Sequence, residues 1–480
     1  MSWAGKILRV NLTTGTVKSE PLNMEWAQAS LGSRGLGTKY LVEEVDATVD
    51  PLSADNKIIW ATGPLTGTMA STGGRYTVIT KGPLTGAIAC SNSGGYWGAE
   101  LKMAGWDMVI FEGKSAKPVY LYVNDDLAEL RDASHLWGKS VWETEEIIKK
   151  GLQDPLTRVS SIGKAGENGV LFAAVVNDLH RAAGRSGVGA VMGSKNLKAI
   201  AVRGTKGVGN LRDPKAFMAA VKAGKKVLAE NGVTGTGLPA MGTQVLMSVI
   251  NEVGGLPTRN HRDNQFEGAK DIGAEAMATP RKTDGKKQLV TNQACFGCTI
   301  ACGRISKMDE NHFTIENKPQ YRGASGGLEY EAAWALGAAN GVNDLEALQY
   351  VNMLCNEEGI DPITFGTTIG AVMELYAMGI LTKEQVGTEA TFGSARALAF
   401  LAEETVNGRG FGKEIGQGSK RLTAKYGHPE LSMSSKGQEF PAYDGRAIQG
   451  IGLAYATSNR GGCHLRGYTI ASEVLGIPVK

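Results

Sequence analysis

The chain has 480 residues, 42% of them hydrophobic, which is enough to bury several cores and excludes a short disulfide-stabilised scaffold. Its 51 Lys and Arg residues against 48 Asp and Glu leave a net charge of +3, without runs of like charge, so there is no electrostatic argument for nucleic-acid binding. No apolar run approaches the ~18 residues of a membrane span, and the N-terminus lacks a signal-peptide pattern, so we expect a cytoplasmic protein without a membrane span.

The first two hundred residues have the patterns of a β-rich region. Short runs with alternating or β-branched residues are separated by turns rich in Gly, Pro, Asn and Asp. These runs predict strands at 6–12, 57–61, 76–80, 108–112, 119–123 and 199–203.

The pattern becomes helical after a glycine-bearing linker at 207–212. Asp213 is predicted to cap a helix that begins with Pro214. Composition and spacing predict helices at 214–230, 329–340, 345–358, 395–405 and 413–426. We therefore predict an α+β fold with a β-rich domain at 1–208, a helical domain at 209–408 and a second helical domain at 409–480.

Three of the six cysteines stand close together, in Cys295-Phe-Gly-Cys298-Thr-Ile-Ala-Cys302. Soft thiolates on a compact loop suit an iron-sulfur cluster or zinc, and the absence of a second nearby Cys or His pair favours the cluster over zinc or unliganded thiols. The clustering also fits a reducing compartment. Spacing does not choose a fourth ligand between Cys355 and Cys463, whereas Cys90 is predicted to be a small buried hydrophobe.

Glycine is the compositional outlier, since 65 of 480 residues is nearly twice the usual ~7%. Polar side chains stand beside glycines in Ser71-Thr-Gly-Gly-Arg75, Asn92-Ser-Gly-Gly95 and Arg181-Ala-Ala-Gly184, where the backbone can approach an anionic ligand. Ordinary turns explain the same residues. A nucleotide-binding reading of 181–189 lacks the acidic residue expected ~20 positions further on.

Two residues are candidates for acid–base chemistry. Glu331 lies in an apolar context, where burial would raise the pKa of its carboxyl and favour proton exchange. His464 lies in a Gly-Gly-Cys-His loop, and histidine is the side chain whose ordinary titration falls near neutrality, although a lone histidine is more often structural. The alternative explanation for Glu331 is an exposed glutamate at the start of a helix, but Glu329, two residues earlier, fits that position better.

These motifs together carry a resemblance. The cysteine run, the segment that begins Gly184-Arg-Ser-Gly-Val-Gly, Glu329-Tyr-Glu331, Pro441-Ala-Tyr-Asp-Gly-Arg446 and Tyr455-Ala-Thr-Ser-Asn-Arg-Gly-Gly-Cys-His464-Leu-Arg466 resemble the aldehyde:ferredoxin oxidoreductase family of tungsten enzymes, in order along the chain. The resemblance implies a tungsten-bis-molybdopterin site, a Mg²⁺ ion that bridges the pterin phosphates and a nearby 4Fe-4S cluster.

The resemblance also implies a role for each matching position. Glu331 and His464 would line the tungsten site, and Cys295, Cys298 and Cys302 would hold the cluster. Asn92 and Ala182 would serve the Mg²⁺. The full set of cofactor-binding positions would be Arg75, Asn92, Gly94, Gly95, Arg181, Ala182, Gly184, Asp361 and Arg466.

The C-terminal end departs from the family pattern. Family members continue for more than a hundred residues beyond this point, and that segment contains a second pterin-binding motif and the fourth cluster cysteine. We therefore expect a subunit cut short at its C-terminus, with the fourth cysteine beyond the chain end, or otherwise Cys463 as the replacement ligand.

The implied function is the interconversion of aldehydes and carboxylic acids, with electrons passed to a ferredoxin or a ferredoxin-like subunit in an oligomeric complex. A benzoyl-CoA reductase-type subunit would share every cofactor motif and is the main alternative. A non-catalytic iron-sulfur or zinc scaffold is the alternative from another functional class.

Overall fold

The computed structural model describes residues 2–476, so the last four residues of the predicted third domain lie outside it. The chain divides into two compact units. The first contains the described residues up to Thr236 together with Ala294–Ala301 and Asn356–Ile360. The second contains Gly237–Gln293, Cys302–Cys355 and the described residues from Asp361 onward.

The first unit is built on two sheets. In residues 2–476 these are six-stranded, with strand orders β2-β1-β6-β3-β4-β5 and β11-β10-β9-β12-β7-β8. The strands are β1 Lys6–Asn11, β2 Thr16–Pro21, β3 Ile58–Thr62, β4 Tyr76–Lys81, β5 Ile88–Ser93, β6 Met108–Glu112, β7 Val119–Asn124, β8 Leu127–Asp132, β9 Arg158–Ser161, β10 Val175–Asn177, β11 Arg181–Ala183 and β12 Leu197–Arg203.

The core of this unit lies between the two sheets. Along β3 the side chains alternate, because Ile58 and Trp60 face the shared core whereas Ile59 and Ala61 face the helices on the outer side. Burial on both faces explains why this strand is a continuous apolar run. The helices are α1 Met24–Ser30, α2 Ser33–Glu44, α3 Trp97–Met103, α4 Val141–Leu152, α5 Lys164–Glu167, α6 Val188–Ser194 and α7 Pro214–Glu230.

The second unit is mainly helical. Its helices are α8 Leu238–Met241, α9 Leu246–Glu252, α10 Ala274–Ala278, α11 Tyr330–Leu336, α12 Leu345–Glu358 (whose last turn belongs to the first unit), α13 Pro362–Ala377, α14 Lys383–Val386, α15 Ala395–Val406, α16 Gly412–Ile415, α17 Ser419–Lys425, α18 Gln449–Thr457 and α19 Ile470–Glu473. The short strands are β13 Leu289–Gln293, β14 Gly303–Ser306, β15 Ser325–Gly326, β16 Ser434–Ser435 and β17 Gln438–Glu439.

The α+β fold class is confirmed, with two helix predictions corrected. The helix predicted at 329–340 ends at Leu336, because Gly337 adopts a non-helical conformation and a 3₁₀ turn follows. The helix predicted at 413–426 is two short helices, α16 and α17, separated by a break at Gly418, which has a φ of +81°.

Two further features of the predicted organisation can be compared with the structure. Asp213 caps α7 as predicted, by accepting a hydrogen bond from the backbone N–H of Ala216. The first compact unit continues past the predicted domain end at residue 208, through α7 to Thr236. The three-domain division stays a prediction. No helix within the described residues is both long and apolar enough to cross a bilayer.

Candidate active site

A pair of glycines follows β5 in the first unit. Gly95 has a φ of +82°, which favours glycine. A Cβ atom added to Gly95 would lie 2.4 Å from Oδ2 of Asp178, and one added to Gly94 would lie 2.8 Å from Sγ of Cys295. Both positions therefore need glycine, because neighbouring atoms already fill the space of a side chain.

A fully buried amide, Asn177, holds this glycine pair. Its Oδ1 accepts hydrogen bonds from the hydroxyls of Tyr76 (2.8 Å) and Ser93 (2.7 Å). Its Nδ2 donates to the carbonyl oxygen of Gly94 at 3.0 Å. Because a buried polar group without partners costs free energy, this network fixes the backbone of the pair in one position.

Asp178 also holds the segment that contains the glycine pair. Its Oδ2 accepts hydrogen bonds from the backbone N–H groups of Tyr96 (2.8 Å) and Trp97 (3.3 Å), at the start of α3. Sequence reasoning missed both Asn177 and Asp178. The available signal was two adjacent polar residues at the end of the apolar run 170–176, just before Arg181.

Arg75 and Asn92 lie beside the glycine pair. Nη1 of Arg75 donates to Oδ1 of Asn92 at 2.9 Å, while Nδ2 of Asn92 donates to the carbonyl of Tyr76 at 3.0 Å. The amide of Asn92 is thus oriented with its oxygen toward the guanidinium. Arg75 is exposed, so its positive charge is available at this turn.

Arg181 and Ala182 lie on β11, which packs beside β5. A Cβ atom on Gly95 would lie 3.2 Å from Cγ of Arg181, and Ala182 pairs with Val176 of β10. A Cβ atom on Gly184, just after β11, would meet no atom within 4 Å. The structure therefore brings together one group of predicted cofactor-binding residues, here named the cradle: Arg75, Asn92, Gly94, Gly95, Arg181, Ala182 and Gly184.

The first two cluster cysteines lie against the cradle, within the same unit. The backbone N–H of Phe296 donates to the carbonyl of Gly95 at 3.1 Å. The N–H of Cys298 donates to the carbonyl of Cys295 at 3.1 Å, in a turn where Gly297 has a φ of +67°. Both thiols are half-buried and free of disulfides.

The second unit contains the predicted acid–base pair. Glu331 lies in the first turn of α11, and its Oε2 accepts a hydrogen bond from the backbone N–H of Ala442 at 3.0 Å. Its Oε1 is 3.7 Å from Nδ1 of His464, and the two side chains are only 17% and 16% exposed. This separation is longer than a direct hydrogen bond, so a proton would pass between the carboxylate and the imidazole through one bridging water or after a small side-chain rotation.

Phenols surround this pair. The hydroxyl of Tyr330 donates to the carbonyl of Ala442 at 2.7 Å. Burial, with a further contribution from the charge of Glu331, raises the pKa of Tyr330 and of Tyr443 well above its usual value. Both phenols therefore stay protonated. Arg466 is half-buried in the loop that carries His464.

Comparison with known proteins identifies the family. The sequence model of the aldehyde ferredoxin oxidoreductase N-terminal domain matches residues 7–204, and that of domains 2 and 3 matches residues 219–480. The chain belongs to the aldehyde ferredoxin oxidoreductase family. The cradle lies in the first matched region, and the Glu331–His464 pair lies in the second.

Members of this family with long alignments are similar to the chain. It is 49% identical to the tungsten-containing aldehyde ferredoxin oxidoreductase of Pyrococcus furiosus and 50% identical to that of Thermococcus kodakarensis; each match covers 99% of this chain and 76% of the relative. The active-site complex of benzoyl-coenzyme A reductase with 1,5-dienoyl-CoA is a structural neighbour. It has a TM-score of 0.79 and 29% identity, over 92% of this chain and 66% of that one.

The cradle fits the phosphate end of the pterin cofactors that the family resemblance implies. Two guanidinium groups and an amide oxygen adjoin glycine backbone, and the position of Gly184 opens onto free space. Guanidinium and backbone N–H groups bind phosphate, and an amide or carbonyl oxygen suits Mg²⁺. Ligation by these residues stays a prediction.

The cysteines divide between the two units. Cys302 belongs to the second unit, and within residues 2–476 no three His, Cys, Asp or Glu side chains form a metal-binding group. Burial and the Asp361 carboxylate raise the pKa of the Cys355 thiol, which disfavours it as a thiolate ligand. Cys463 is fully buried, and Cys90 is a core residue as predicted. The cluster and its fourth ligand stay predictions.

Asp361 has a structural role in the second unit. It is buried and caps α13, with Oδ1 accepting from the N–H of Ile363 (3.1 Å) and Oδ2 from the hydroxyl of Thr364 (2.8 Å). Gly359, with a φ of +71°, ends the preceding helix as predicted. Helix capping explains Asp361, and pterin binding by its carboxylate stays a prediction.

Proposed function

We propose that this chain catalyses the interconversion of aldehydes and carboxylic acids at a tungsten-bis-molybdopterin site. Electrons would pass through a 4Fe-4S cluster to a ferredoxin or a ferredoxin-like subunit. The observation that carries the proposal is the partly buried Glu331–His464 pair, 3.7 Å apart, in a chain of this family.

The cofactors would supply the two-electron redox chemistry, while the protein supplies binding, orientation and electrostatics. Arg75, Arg181 and the glycine backbone would hold the pterin phosphates. The amide oxygen of Asn92 and the carbonyl oxygen of Ala182 would bind the bridging Mg²⁺. Cys295, Cys298 and Cys302 would hold the cluster.

Glu331 and His464 account for the protons. Oxidation of an aldehyde to its acid consumes one water and releases two protons and two electrons. Glu331 accepts a proton from the water that adds to the carbonyl carbon, while His464 donates a hydrogen bond to the carbonyl oxygen. The Ala442 N–H holds the carboxylate in place, so the pair is oriented before the substrate binds.

Electrons would have to pass from the pterin site to the cluster over a short distance. The hydrogen bond from the N–H of Phe296 to the carbonyl of Gly95 supports this proposal, because Phe296 adjoins Cys295 and lies two residues from Cys298. We propose an oligomeric complex with an electron-accepting subunit, and we keep the cytoplasmic location as a prediction.

The test uses protein that is purified without oxygen. Tungsten and iron contents are measured first, and viologen reduction is then assayed with acetaldehyde and benzaldehyde. We expect tungsten, about four iron atoms per cluster and activity with at least one aldehyde. Zinc in place of tungsten and iron would instead indicate a scaffold.

Benzoyl-CoA reduction is the second candidate function. The TM-score of 0.79 to the benzoyl-coenzyme A reductase complex favours it as an alternative, since the two chains share a fold over 92% of this one. Activity with an aromatic CoA thioester and none with any aldehyde would replace the first proposal with this one.

A further inference from the structure

The second unit contains a cavity that the acid–base chemistry leaves unexplained. Its volume is about 740 Å³, within the range of sites for small organic molecules. The residues that line it include His261, Phe440, Tyr443, Asp444, Arg446 and Tyr455. The cavity is far larger than a two-carbon aldehyde needs.

Aromatic rings line much of this cavity. Phe440 and Tyr455 are stacked, with ring centroids 5.1 Å apart and an interplanar angle of 22°. The imidazole of His261 lies 6.1 Å from the ring of Phe440 and 6.2 Å from that of Trp334. Flat aromatic walls favour a flat aromatic ligand, because ring pairs gain energy beyond the area they bury.

Tyr443 connects the cavity to the acid–base pair. Its ring lines the cavity and lies 6.5 Å from the imidazole of His464, between centroids. The preceding residue, Ala442, donates the backbone hydrogen bond to Glu331. The cavity thus adjoins the pair at Tyr443, and a molecule whose carbonyl group is held at the pair could extend its organic group toward the cavity.

One ring nitrogen of His261 makes no hydrogen bond within the described residues. Its Nε2 is buried and has no hydrogen-bond partner among residues 2–476. Burial lowers the pKa of the imidazole to about 4, so the ring is neutral near pH 7. Oδ2 of Asp444 lies 4.0 Å from Nδ1, and its charge favours the proton on that nitrogen, which leaves Nε2 as an acceptor.

The backbone at His261 is strained and firmly held. Arg259, Asn260 and His261 have φ values of +46°, +53° and +64°. The N–H groups of Arg259 and Asn260 donate to the carbonyls of Ala338 and Ala339, at 3.0 Å each. Left-handed non-glycine residues persist where the surroundings determine them, often at functional sites.

We propose that this cavity binds the organic group of the substrate, that this group is an aromatic ring with a hydroxyl or a similar hydrogen-bond donor, and that Nε2 of His261 accepts the bond from that donor. The substrate role rests on the proposed function. Binding of an aromatic hydroxyl compound in the cavity does not.

The test measures binding of unreactive carboxamides to the full chain by calorimetry. Benzamide, 3-hydroxybenzamide and 4-hydroxybenzamide are compared in wild type and in His261→Phe, which keeps a flat ring without a nitrogen. We expect at least one hydroxybenzamide to bind wild type about tenfold more tightly than benzamide, since one hydrogen bond is worth about that factor. In His261→Phe this preference disappears while benzamide affinity is retained.

Controls separate this effect from damage to the fold. His428→Phe removes a partly exposed imidazole that pairs with Glu430, 2.8 Å away, outside the cavity, and should leave the preference intact. If His261→Phe fails to fold, His261→Asn replaces it, because Asn tolerates the left-handed backbone but does not extend as far as Nε2.

Each negative outcome has its own meaning. Wild type that binds none of the carboxamides overturns the cavity assignment. An unchanged preference in His261→Phe or His261→Asn overturns the role of His261. Aldehyde-dependent viologen reduction is assayed separately. Protein that reduces viologen but binds no carboxamide loses this inference alone, whereas protein that binds and discriminates but oxidises no aldehyde loses the proposed function alone.

Discussion

The two compact units present their candidate functional groups in different ways. In the first, backbone forms much of the cradle: neighbouring atoms leave no space for a side chain at Gly94 and Gly95, and the buried amide of Asn177 holds this glycine pair in position. In the second, side chains carry the chemistry. Glu331 and His464 face each other among phenols whose burial keeps them protonated.

This difference indicates how each unit should respond to mutation. Backbone geometry depends on the stability of the polar network that supports it, so damage to the cradle should lower both folding stability and cofactor content. Side-chain chemistry depends on one proton-exchanging group, so its loss should leave the fold intact and lower the rate.

The largest effect is expected for Glu331→Gln. The amide keeps an oxygen for the Ala442 N–H but does not exchange a proton, so turnover should fall about 10²- to 10⁴-fold. Tungsten content and thermal unfolding should match wild type. Viologen-coupled assays of both proteins check this, and unchanged turnover would remove Glu331 from the mechanism.

Glu329→Gln is the matched control for that variant. Glu329 stands two residues earlier and accepts a hydrogen bond from the hydroxyl of Thr243 at 2.5 Å. Its amide can still accept this bond, so turnover should change less than about threefold, in line with a neutral replacement that keeps its hydrogen bond. A loss as large as that of Glu331→Gln would show that the assay reports local packing.

Asn177→Leu should break the support of the cradle. The isosteric side chain leaves the Gly94 carbonyl and the hydroxyls of Tyr76 and Ser93 without their buried partner, at a cost of about 3–5 kcal/mol of unfolding free energy. Chemical denaturation measures this, and tungsten content should fall as well. Asn210→Ala, which removes an exposed hydrogen bond to Trp3, should change stability by less than about 0.5 kcal/mol.

Two glycine substitutions test whether the cradle is shaped by close contacts. Gly95→Ala adds a Cβ atom 2.4 Å from Asp178 at a φ of +82°, and should cost about 2 kcal/mol in a denaturation experiment. Gly184→Ala adds one in open space and should change stability by less than about 1 kcal/mol. Equal costs at both positions would argue against this explanation of the glycine pair.

The smallest expected effect is on the pH dependence of stability, and it comes from Lys195, a buried lysine of the first unit. Burial lowers the pKa of Lys195 to about 8, below its value in the unfolded chain. The unfolded state therefore binds more protons above pH 8, so this lysine makes unfolding free energy rise by about 1 kcal/mol between pH 8 and pH 9. Lys195→Met should remove that part of the rise in denaturation curves at the two pH values, and an unchanged slope would contradict the assignment.

Much of the fold could be predicted because its signals are local. The helices Pro214–Glu230 and Leu345–Glu358 match their predicted limits to the residue, since an N-cap and Pro open one and a glycine ends the other. The break between α16 and α17 at Gly418 was not predicted, because the sequence does not show whether a glycine inside a helical pattern has a positive φ.

Candidate functional residues could be predicted only where they belong to a recognisable sequence motif. Glu331 and His464 are 133 positions apart, and the family resemblance rather than any spacing paired them. Asn177 and His261 were missed because their roles depend on long-range partners: Tyr76 and Ser93 for the first, Phe440 and Asp444 for the second. Burial and partners of this kind have no periodic signature in the sequence.

The first unit takes its last pieces, Ala294–Ala301 and Asn356–Ile360, from far along the chain. Residue 360 pairs with Ala173 as an isolated bridge, and the N–H of Ala174 donates to the carbonyl of Gly359 at 2.8 Å. During synthesis, the ribosome must therefore release more than a hundred residues that belong to the second unit before the first can close. The first unit therefore cannot finish folding until much of the second has been synthesised, and neither could be transplanted into another protein as one continuous segment.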